Sequence, residues 1–165
     1  MRNYLIDGGS CTGKTSVCAE LRRRGFHAIN GDSELAYHGN PETGEPLPRS
    51  ENHRATHENH LWEVTAVHTL LTDRTHPSTF FCGGSRNRAT FVDFFDAVVV
   101  LRIDRATLLE RLDERLPDDF GGQADERDLI LRLHDHVDVL PPTAVVVDAT
   151  VSLADVVDDI LRRTA

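Results

Sequence analysis

Apolar positions along the chain follow two alternating rhythms. Tyr4-Leu5-Ile6-Asp7 reads as the end of a short buried strand, and Phe26 to Ile29 is a second apolar run that stops at Asn30-Gly31-Asp32. Ser78 to Cys82 predicts a third strand, stopping at Gly83-Gly84. Ala97 to Ile103 is a run of Val and Leu, the pattern of a parallel strand buried on both faces. Ala144 to Val147 completes the set. Between these runs the period lengthens to that of a helix. Thr15 to Arg24 places Val17, Cys18 and Leu21 on one face, and Glu51 to about Asp73 carries Leu61, Val64, Val67, His68 and Leu71 at helical spacing. Further helices are predicted over Arg86 to Phe95, over Arg105 to Leu116, from after Gln123 to about Leu140, and over Ser152 to Arg162. Tyr37 to Ser50 holds Pro41, Pro46, Pro48, Gly39 and Gly44 and predicts a loop; Pro117 to Gln123 is a second break. Strands separated by helices imply an α/β fold, a roughly five-stranded parallel sheet with helices on both faces. Ligands of such sheets bind beyond the carboxyl ends of the strands. Here those ends are Asp7-Gly8, Asn30 to Asp32, Cys82 to Ser85, Ile103-Asp104 and Asp148 to Thr150.

The first of these ends carries chemistry. Gly8-Gly9-Ser10-Cys11-Thr12-Gly13-Lys14-Thr15 matches G-x-x-x-x-G-K-[ST] without a gap, between a strand and a helix, which is the setting a phosphate-binding loop requires. The glycines let backbone N–H groups converge on phosphate oxygens, and the start of the next helix adds partial positive charge. Ser16 continues the same turn. Lys14 would reach the β and γ phosphates, and the Thr15 hydroxyl would hold Mg²⁺. Lys14 is the sole lysine in the chain; every other member of its 18 Lys+Arg is arginine.

Composition adds limits. A chain of 165 residues with 39% hydrophobic and 27% charged residues fits one domain, 1–165, with a proper core. The formal charge of −9 argues against nucleic-acid binding by a general basic surface. No apolar run is long enough to cross a membrane, and the N-terminus runs straight into the first strand with no signal peptide. Cys11, Cys18 and Cys82 form no metal-ligand spacing and no evident disulfide pattern. The expected location is the cytoplasm, and the oligomeric state stays open.

The order of these motifs resembles the small P-loop kinases grouped around shikimate kinase, gluconate kinase and the nucleotide kinases, and also chloramphenicol phosphotransferase. The resemblance covers essentially the whole chain, and only the phosphate loop is highly specific. It implies a P-loop NTPase fold with a short lid at 116–126, an acceptor-binding region at 31–62, ATP and Mg²⁺ as cofactors, and a nucleotide and a small-molecule acceptor as partners. It places Asp32 at the end of the second strand, where a carboxylate orients the acceptor hydroxyl and takes its proton; as residues alone, Asp32 equally reads as a helix cap. Asn30 stands where shikimate kinases often carry an aspartate. Cys82-Gly83-Gly84-Ser85 resembles the glycine-rich acceptor turn, with Gly83 and Gly84 lying against the substrate, or a plain turn. Arg111 and Arg115 flank the lid as arginines that close over phosphates, or form a solvated helix face paired with Asp113 or Glu114. Arg127 and Arg132 follow the lid as weaker candidates. Asp148 belongs to the loop that touches the base, or is a turn residue. No acid closes the third strand, so Mg²⁺ would rest on Thr15, phosphates and water.

On the acceptor side, Arg54 falls near where shikimate kinases hold the substrate carboxylate, and Arg86 and Arg88 follow the glycine turn. His53, His57 and His60 share one face if their segment is a helix; a zinc site is one reading, a polar wall or solvent face the other. The function expected is an ATP-dependent kinase acting on a hydroxyl of a small metabolite or antibiotic-like molecule, with Lys14, Asp32 and Arg115 as catalytic residues. The alternatives are a nucleoside or nucleotide kinase, whose acceptor phosphate would need arginines such as Arg49, Arg54, Arg86 and Arg88, and a regulatory NTPase without an acceptor. No Asn-Lys-x-Asp guanine-reading motif is present.

Overall fold

The computed structural model describes residues 1–48, 53–117, 119–135 and 144–165, with side chains at all of these except 53–55. In chain order the elements are β1 (Arg2–Gly8), α1 (Lys14–Arg23), β2 (His27–Asn30), α2 (Gly31–Glu34), β3 (Ala36–His38), α3 (His53–Glu58), β4 (His60–Trp62), α4 (Val64–Thr72), β5 (Ser78–Cys82), two 3-10 turns (Arg88–Thr90 and Val92–Phe94), β6 (Ala97–Arg102), α5 (Arg105–Asp113), α6 (Ala124–His134), β7 (Ala144–Asp148) and α7 (Leu153–Thr164).

A run that is apolar at every position needs cover on both faces, and the strand residues sort accordingly. The main sheet has the order β2-β5-β1-β6-β7, and every pair in it is parallel. Tyr4, Ile6, Phe80, Cys82, Val99 and Leu101 point into one core, closed by Val17, Cys18 and Leu21 of α1, Leu108 and Leu112 of α5, and Val156, Val157 and Ile160 of α7. Their neighbours Leu5, Phe81, Val98 and Val100 point into a second core, closed by Val67 and Leu71 of α4 with Phe91 and Phe95. The period-two alternation of a strand thus becomes two layers of helix. No helix among the described residues is long and apolar enough to cross a membrane.

The region 31–62 departs from expectation. The segment read as one helix from Glu51 to Asp73 is α3, β4 and α4 in turn, and the segment read as loop from Tyr37 begins inside β3, which pairs antiparallel with β4 (Ala36↔Trp62, His38↔His60). Arg49, Ser50, Glu51 and Asn52 lie outside the described residues, as do Asp118 and the predicted helix end at 136–143. The break has a physical cause. Leu61 and Trp62 are adjacent and both fully buried, which a strand achieves by facing alternate sides and a surface helix does not. Glu63 then restarts a helix, its side chain accepting from Thr65 N (3.1 Å) and Ala66 N. The predicted helix at Arg86–Phe95 is two 3-10 turns, closed by Phe91 N to Arg88 O (3.1 Å) and Phe95 N to Val92 O (3.2 Å).

Trp62 organises this edge. Its ring stacks on Phe91 with centroids 5.7 Å apart and planes 5° apart. Asn87 holds its backbone from both sides, accepting from Trp62 N (3.0 Å) and donating to Trp62 O (2.8 Å). A Cβ on Gly31 would stand 2.1 Å from Trp62 Cζ2, and one on Gly83 would stand 2.7 Å from the same atom. The indole is therefore wedged between two glycines. Nε1 meets no acceptor among the described residues, at a cost of about 1–3 kcal/mol that the buried ring area offsets.

Gly31→Ala should lower stability by about 1–3 kcal/mol through overpacking. Urea unfolding followed by the fluorescence of Trp62, the single tryptophan, reads this directly; an unchanged midpoint and spectrum would mean that the indole is not wedged.

Candidate active site

Parallel strands that end in register deliver their loops to one rim. Cys82 of β5 is paired with Ile6 on one side and Asn30 on the other. Two residues further on, Gly84 and Asp32 are side by side, and Gly84 N donates to Asp32 Oδ1 (3.1 Å). On the other flank Gly83 N donates to Ile6 O (3.0 Å), next to the phosphate loop.

The loop wraps the start of α1. Gly13 is the N-cap in the left-handed region (φ 99°) and no side chain caps the helix, so its first N–H groups face the loop's hollow. Cys11 also adopts a left-handed backbone (φ 64°), unusual for a residue with a side chain. Thr12 Oγ1 donates to Gly9 O (2.8 Å), and Lys14 Nζ donates to Gly8 O (2.8 Å) and Gly9 O (2.9 Å). Ser10 is half-buried in the turn, while Thr15 and Ser16 are exposed on the first turn of α1. Beneath the loop, Asp7 accepts from Gly8 N (2.7 Å) and is ion-paired with Arg88.

A cavity of about 500 Å³ opens beside the loop. Cys11, Thr12, Gly13 and Ser16 form one wall, Val17, Val151, Leu153 and Val156 an apolar wall, and Arg111 and Arg115, with Glu114 and Asp119, a charged one. Arg111 bridges two loops, donating to Cys11 O (2.9 Å) and Ala149 O (2.6 Å). Arg115 Nη2 lies 3.7 Å from Cys11 Sγ. Neither arginine pairs with Asp113, which is engaged by Arg127. Asp148 does not line the cavity; its carboxylate accepts from Thr150 N (2.9 Å) and Oγ1 (2.7 Å), a turn that presents Ala149 and Val151 to the cavity instead.

Across the rim, Asp32 caps nothing. The N-cap of α2 is Asn30, and the Asp32 carboxylate faces Gly84 and His60, whose Nε2 is 3.2 Å from Oδ1. Burial pushes Asp32 up, but the His60 hydrogen bond, the Lys14 charge and the Gly84 N–H outweigh it and hold the carboxyl below its ordinary value. A Cβ on Gly83 would meet Asp32 Oδ1 at 2.5 Å, so the turn must be glycine for the carboxylate to sit there. His57 accepts from Arg86 Nη2 (2.7 Å) through its ring, and its carbonyl accepts from Arg86 Nε (3.2 Å). The His57 ring stacks on Phe120, between α5 and α6, with centroids 6.0 Å apart and planes 6° apart. Burial, then the charges of Arg86, His60 and Lys14, hold His57 down to about 4, so it is neutral at pH 7.

Of the residues expected at the site, the phosphate loop, Arg111 and Arg115 come together at the cavity, and Asp32, Gly83, Gly84 and Arg86 come together across the rim. Arg132 is exposed on α6, donates to Asp128 O (3.2 Å) and is not among the cavity's residues. The side chains of Arg54 and His53 lie outside the described residues. The expected shared face of His53, His57 and His60 does not form, because His60 belongs to β4. Among the described residues, no three His, Cys, Asp or Glu converge as metal ligands. Sequence reading missed the ties from Asp32 to His60, from Asp7 to Arg88 and from Asn87 to Trp62. The adjacent Leu61-Trp62 pair followed by Glu63-x-Thr/Ala was the available signal for a strand and a new cap.

A family described as "AAA domain" matches residues 5–132. No curated protein matches the chain. Among solved structures, a sugar kinase from Janibacter sp. HTCC2649 is similar over 98% of this chain and 93% of its own, at 16% identity and a TM-score of 0.59. A gluconokinase from Sinorhizobium meliloti 1021 is similar over 98% of this chain and 90% of its own, at 21% identity and a TM-score of 0.58. A deoxyadenosine kinase from M. mycoides, solved with dATP, is similar over 99% of each chain, at 15% identity and a TM-score of 0.52. The fold is thus the P-loop kinase-like α/β fold.

The His57 ring accepts from Arg86 only while it is neutral. Between its ordinary 6.5 and about 4 the unfolded chain binds a proton that the folded chain refuses, so stability falls as pH drops through that window. His57→Gln should reduce the loss between pH 7 and pH 5 by about 1–2 kcal/mol, after discounting for partial exposure. His27, lowered first by burial, would leave a remainder of the same sign. Urea midpoints at both pH values test this; parallel losses in both proteins would show that His57 does not hold its neutral form.

Proposed function

The chain belongs to the AAA-domain family, and on that premise we propose that it is an ATP-dependent phosphotransferase that moves the γ-phosphate to a hydroxyl of a small metabolite or antibiotic-like molecule. One observation carries this reading: a carboxylate just beyond the end of β2 is held ionised across from the phosphate loop, within the field of Lys14, by the glycine turn that follows β5. A nucleotide-binding regulator needs the loop but has no use for that carboxylate.

The residues divide the work. The apolar wall of Val17, Val151, Leu153 and Val156 suits a base, and Arg111 and Arg115 suit the phosphates. Lys14 would exchange the carbonyls of Gly8 and Gly9 for β and γ oxygens. Thr15, exposed at the start of α1, is the residue that would hold Mg²⁺, and the ion would neutralise charge on those oxygens. Asp32 would orient the acceptor hydroxyl and take its proton while the hydroxyl oxygen bonds to the γ phosphorus and the bond to the β-phosphate oxygen breaks. Arg115 would spread charge from the transferring group, and the lid at 116–126 would exclude water, the competing acceptor. Arg86 pairs with no carboxylate among the described residues and suits an anionic or polyhydroxyl acceptor. The likeness to a deoxyadenosine kinase keeps a nucleoside acceptor as the second reading. Arg88 is already engaged by Asp7, which removes one candidate for gripping an acceptor phosphate.

A panel of sugars, sugar acids, antibiotics, nucleosides and nucleoside monophosphates, incubated with the protein, ATP and Mg²⁺ and read by mass spectrometry, should show one compound gaining a phosphate. Lys14→Ala should abolish transfer, and Asp32→Asn should lower kcat by about 10²–10⁴-fold with the fold intact. Full activity in Asp32→Asn would end the base assignment. Nucleotide binding without any transfer would favour the regulator.

A further inference from the structure

We propose that His60 is a positioning residue: it anchors Oδ1 of Asp32 so that Oδ2 alone faces the acceptor hydroxyl. The inference rests on the phosphotransferase reading above and on the part Asp32 plays in it.

The two oxygens of Asp32 have different surroundings. Oδ1 receives both His60 Nε2 (3.2 Å) and Gly84 N (3.1 Å), and it lies 2.5 Å from where a Cβ on Gly83 would stand. Among the described residues no donor reaches Oδ2. A carboxylate has about four lone-pair sites, two on each oxygen, so Oδ1 is filled and Oδ2 is open. Rotation about the terminal torsion of an aspartate is broad and nearly two-fold, so an untethered carboxylate would exchange the two oxygens freely. Two donors meeting at one oxygen remove that freedom. The reactive lone pair then has a fixed direction before any acceptor arrives, which is how positioning lowers a barrier.

The mounting of His60 is rigid enough to do this. It is not on a helix but in β4, paired with His38 of β3, and its carbonyl accepts from Arg86 N (2.9 Å). Two residues on, Trp62 is wedged between Gly31 and Gly83, and Gly31 and Gly83 flank Asp32 itself in space. The same buried ring therefore fixes both the strand that carries the donor and the turn that carries the acceptor. A carboxylate only accepts, so the contact assigns the proton to Nε2 of His60. Lys14 from α1, His60 from β4 and Cys82 from β5 act electrostatically with Asp32, and His57 and Arg86 stand behind His60. When Oδ2 takes the hydroxyl proton, no proton needs to pass through His60; its hydrogen bond stays on Oδ1 throughout.

The test uses the full chain with His60→Ala and His60→Gln, whose amide N–H reaches to about the place of Nε2. The first readout is the titration of the Asp32 side-chain carbon by NMR, which needs no acceptor. Asp32 should titrate higher in His60→Ala than in the wild type, and His60→Gln should return towards the wild-type value. The second is steady-state kinetics on the compound found by the panel. His60→Ala should lower kcat by about 10–100-fold, with KM for ATP and acceptor within about twofold, and His60→Gln should recover most of it. An unmoved Asp32 titration in His60→Ala, or a glutamine variant no better than alanine in kcat, would overturn the proposal. So would a raised acceptor KM at unchanged kcat, which would make His60 a substrate contact. A shifted titration in a protein that phosphorylates nothing would leave the anchor standing as chemistry, overturn its catalytic purpose, and place the failure with the phosphotransferase reading.

Discussion

The register of one residue governs the whole active rim. Cys82 ends β5 between two parallel partners, level with Ile6 of β1 and Asn30 of β2. β2 and β5 therefore stop together and β1 runs two residues further, so the phosphate loop, the Asp32 turn and the Gly83-Gly84 turn leave the sheet side by side. A slip of one residue would move a turn by about 3.3 Å and exchange the faces of every side chain on that strand. The core forbids it, because Phe80 and Cys82 fill one layer and Phe81 the other. Burial of apolar area thus sets the register, and the register sets the distance from Gly84 N to Asp32. The chemistry at the rim inherits its tolerance from packing beneath it.

Charge is sorted with the same economy. The chain is acidic, at −9, and most of its described arginines are tied to carboxylates: Arg22 to Glu34, Arg23 and Arg24 to Glu20, Arg88 to Asp7, Arg105 to Asp135, Arg127 to Asp113, Arg162 and Arg163 to Asp159. The cations around the cavity and rim are engaged differently. Lys14 and Arg111 donate to backbone carbonyls, Arg115 touches a thiol, and Arg86 holds a neutral histidine. Neutral partners leave the charge of these four cations uncancelled by direct ion pairs, although Glu114 and Asp119 line the same cavity and Asp32 stands on the rim. The net charge of the chain therefore does not describe the local arrangement of charge at the site.

The sequence carried the sheet because parallel strands buried on both faces leave continuous apolar runs, and it carried the phosphate loop because that motif is local. Val17, Cys18 and Leu21 fell on the buried face of α1 for the same reason. It failed between residues 36 and 62. There the determinants are non-local: β3 pairs with β4 across the proline-rich segment, and Trp62 is buried by glycines 31 positions before it and 21 after it in the chain. A helical spacing of apolar residues over 61–71 was real but belonged to α4, with Leu61 and Trp62 claimed by a ladder instead. The partner of Asp32 was hidden by the same error, since a His60 on a helix would have faced His57 and not Asp32. The break between α5 and α6 was legible from its proline and glycines, but the stacking of Phe120 on His57 joins residues whose pairing no spacing rule predicts.

Lys14 closes on the carbonyls of its own loop. An ammonium has three protons, and two of them are already satisfied. A phosphate that arrives must displace partners of nearly the same geometry, so recognition there is an exchange in which only the excess of charge over dipole counts. A neutral ligand of the same shape would gain almost nothing by the swap, whereas an oxyanion gains the difference between a carbonyl and a full negative charge. The loop in this way screens visitors by valence before it screens them by outline, and it keeps its own shape while it waits.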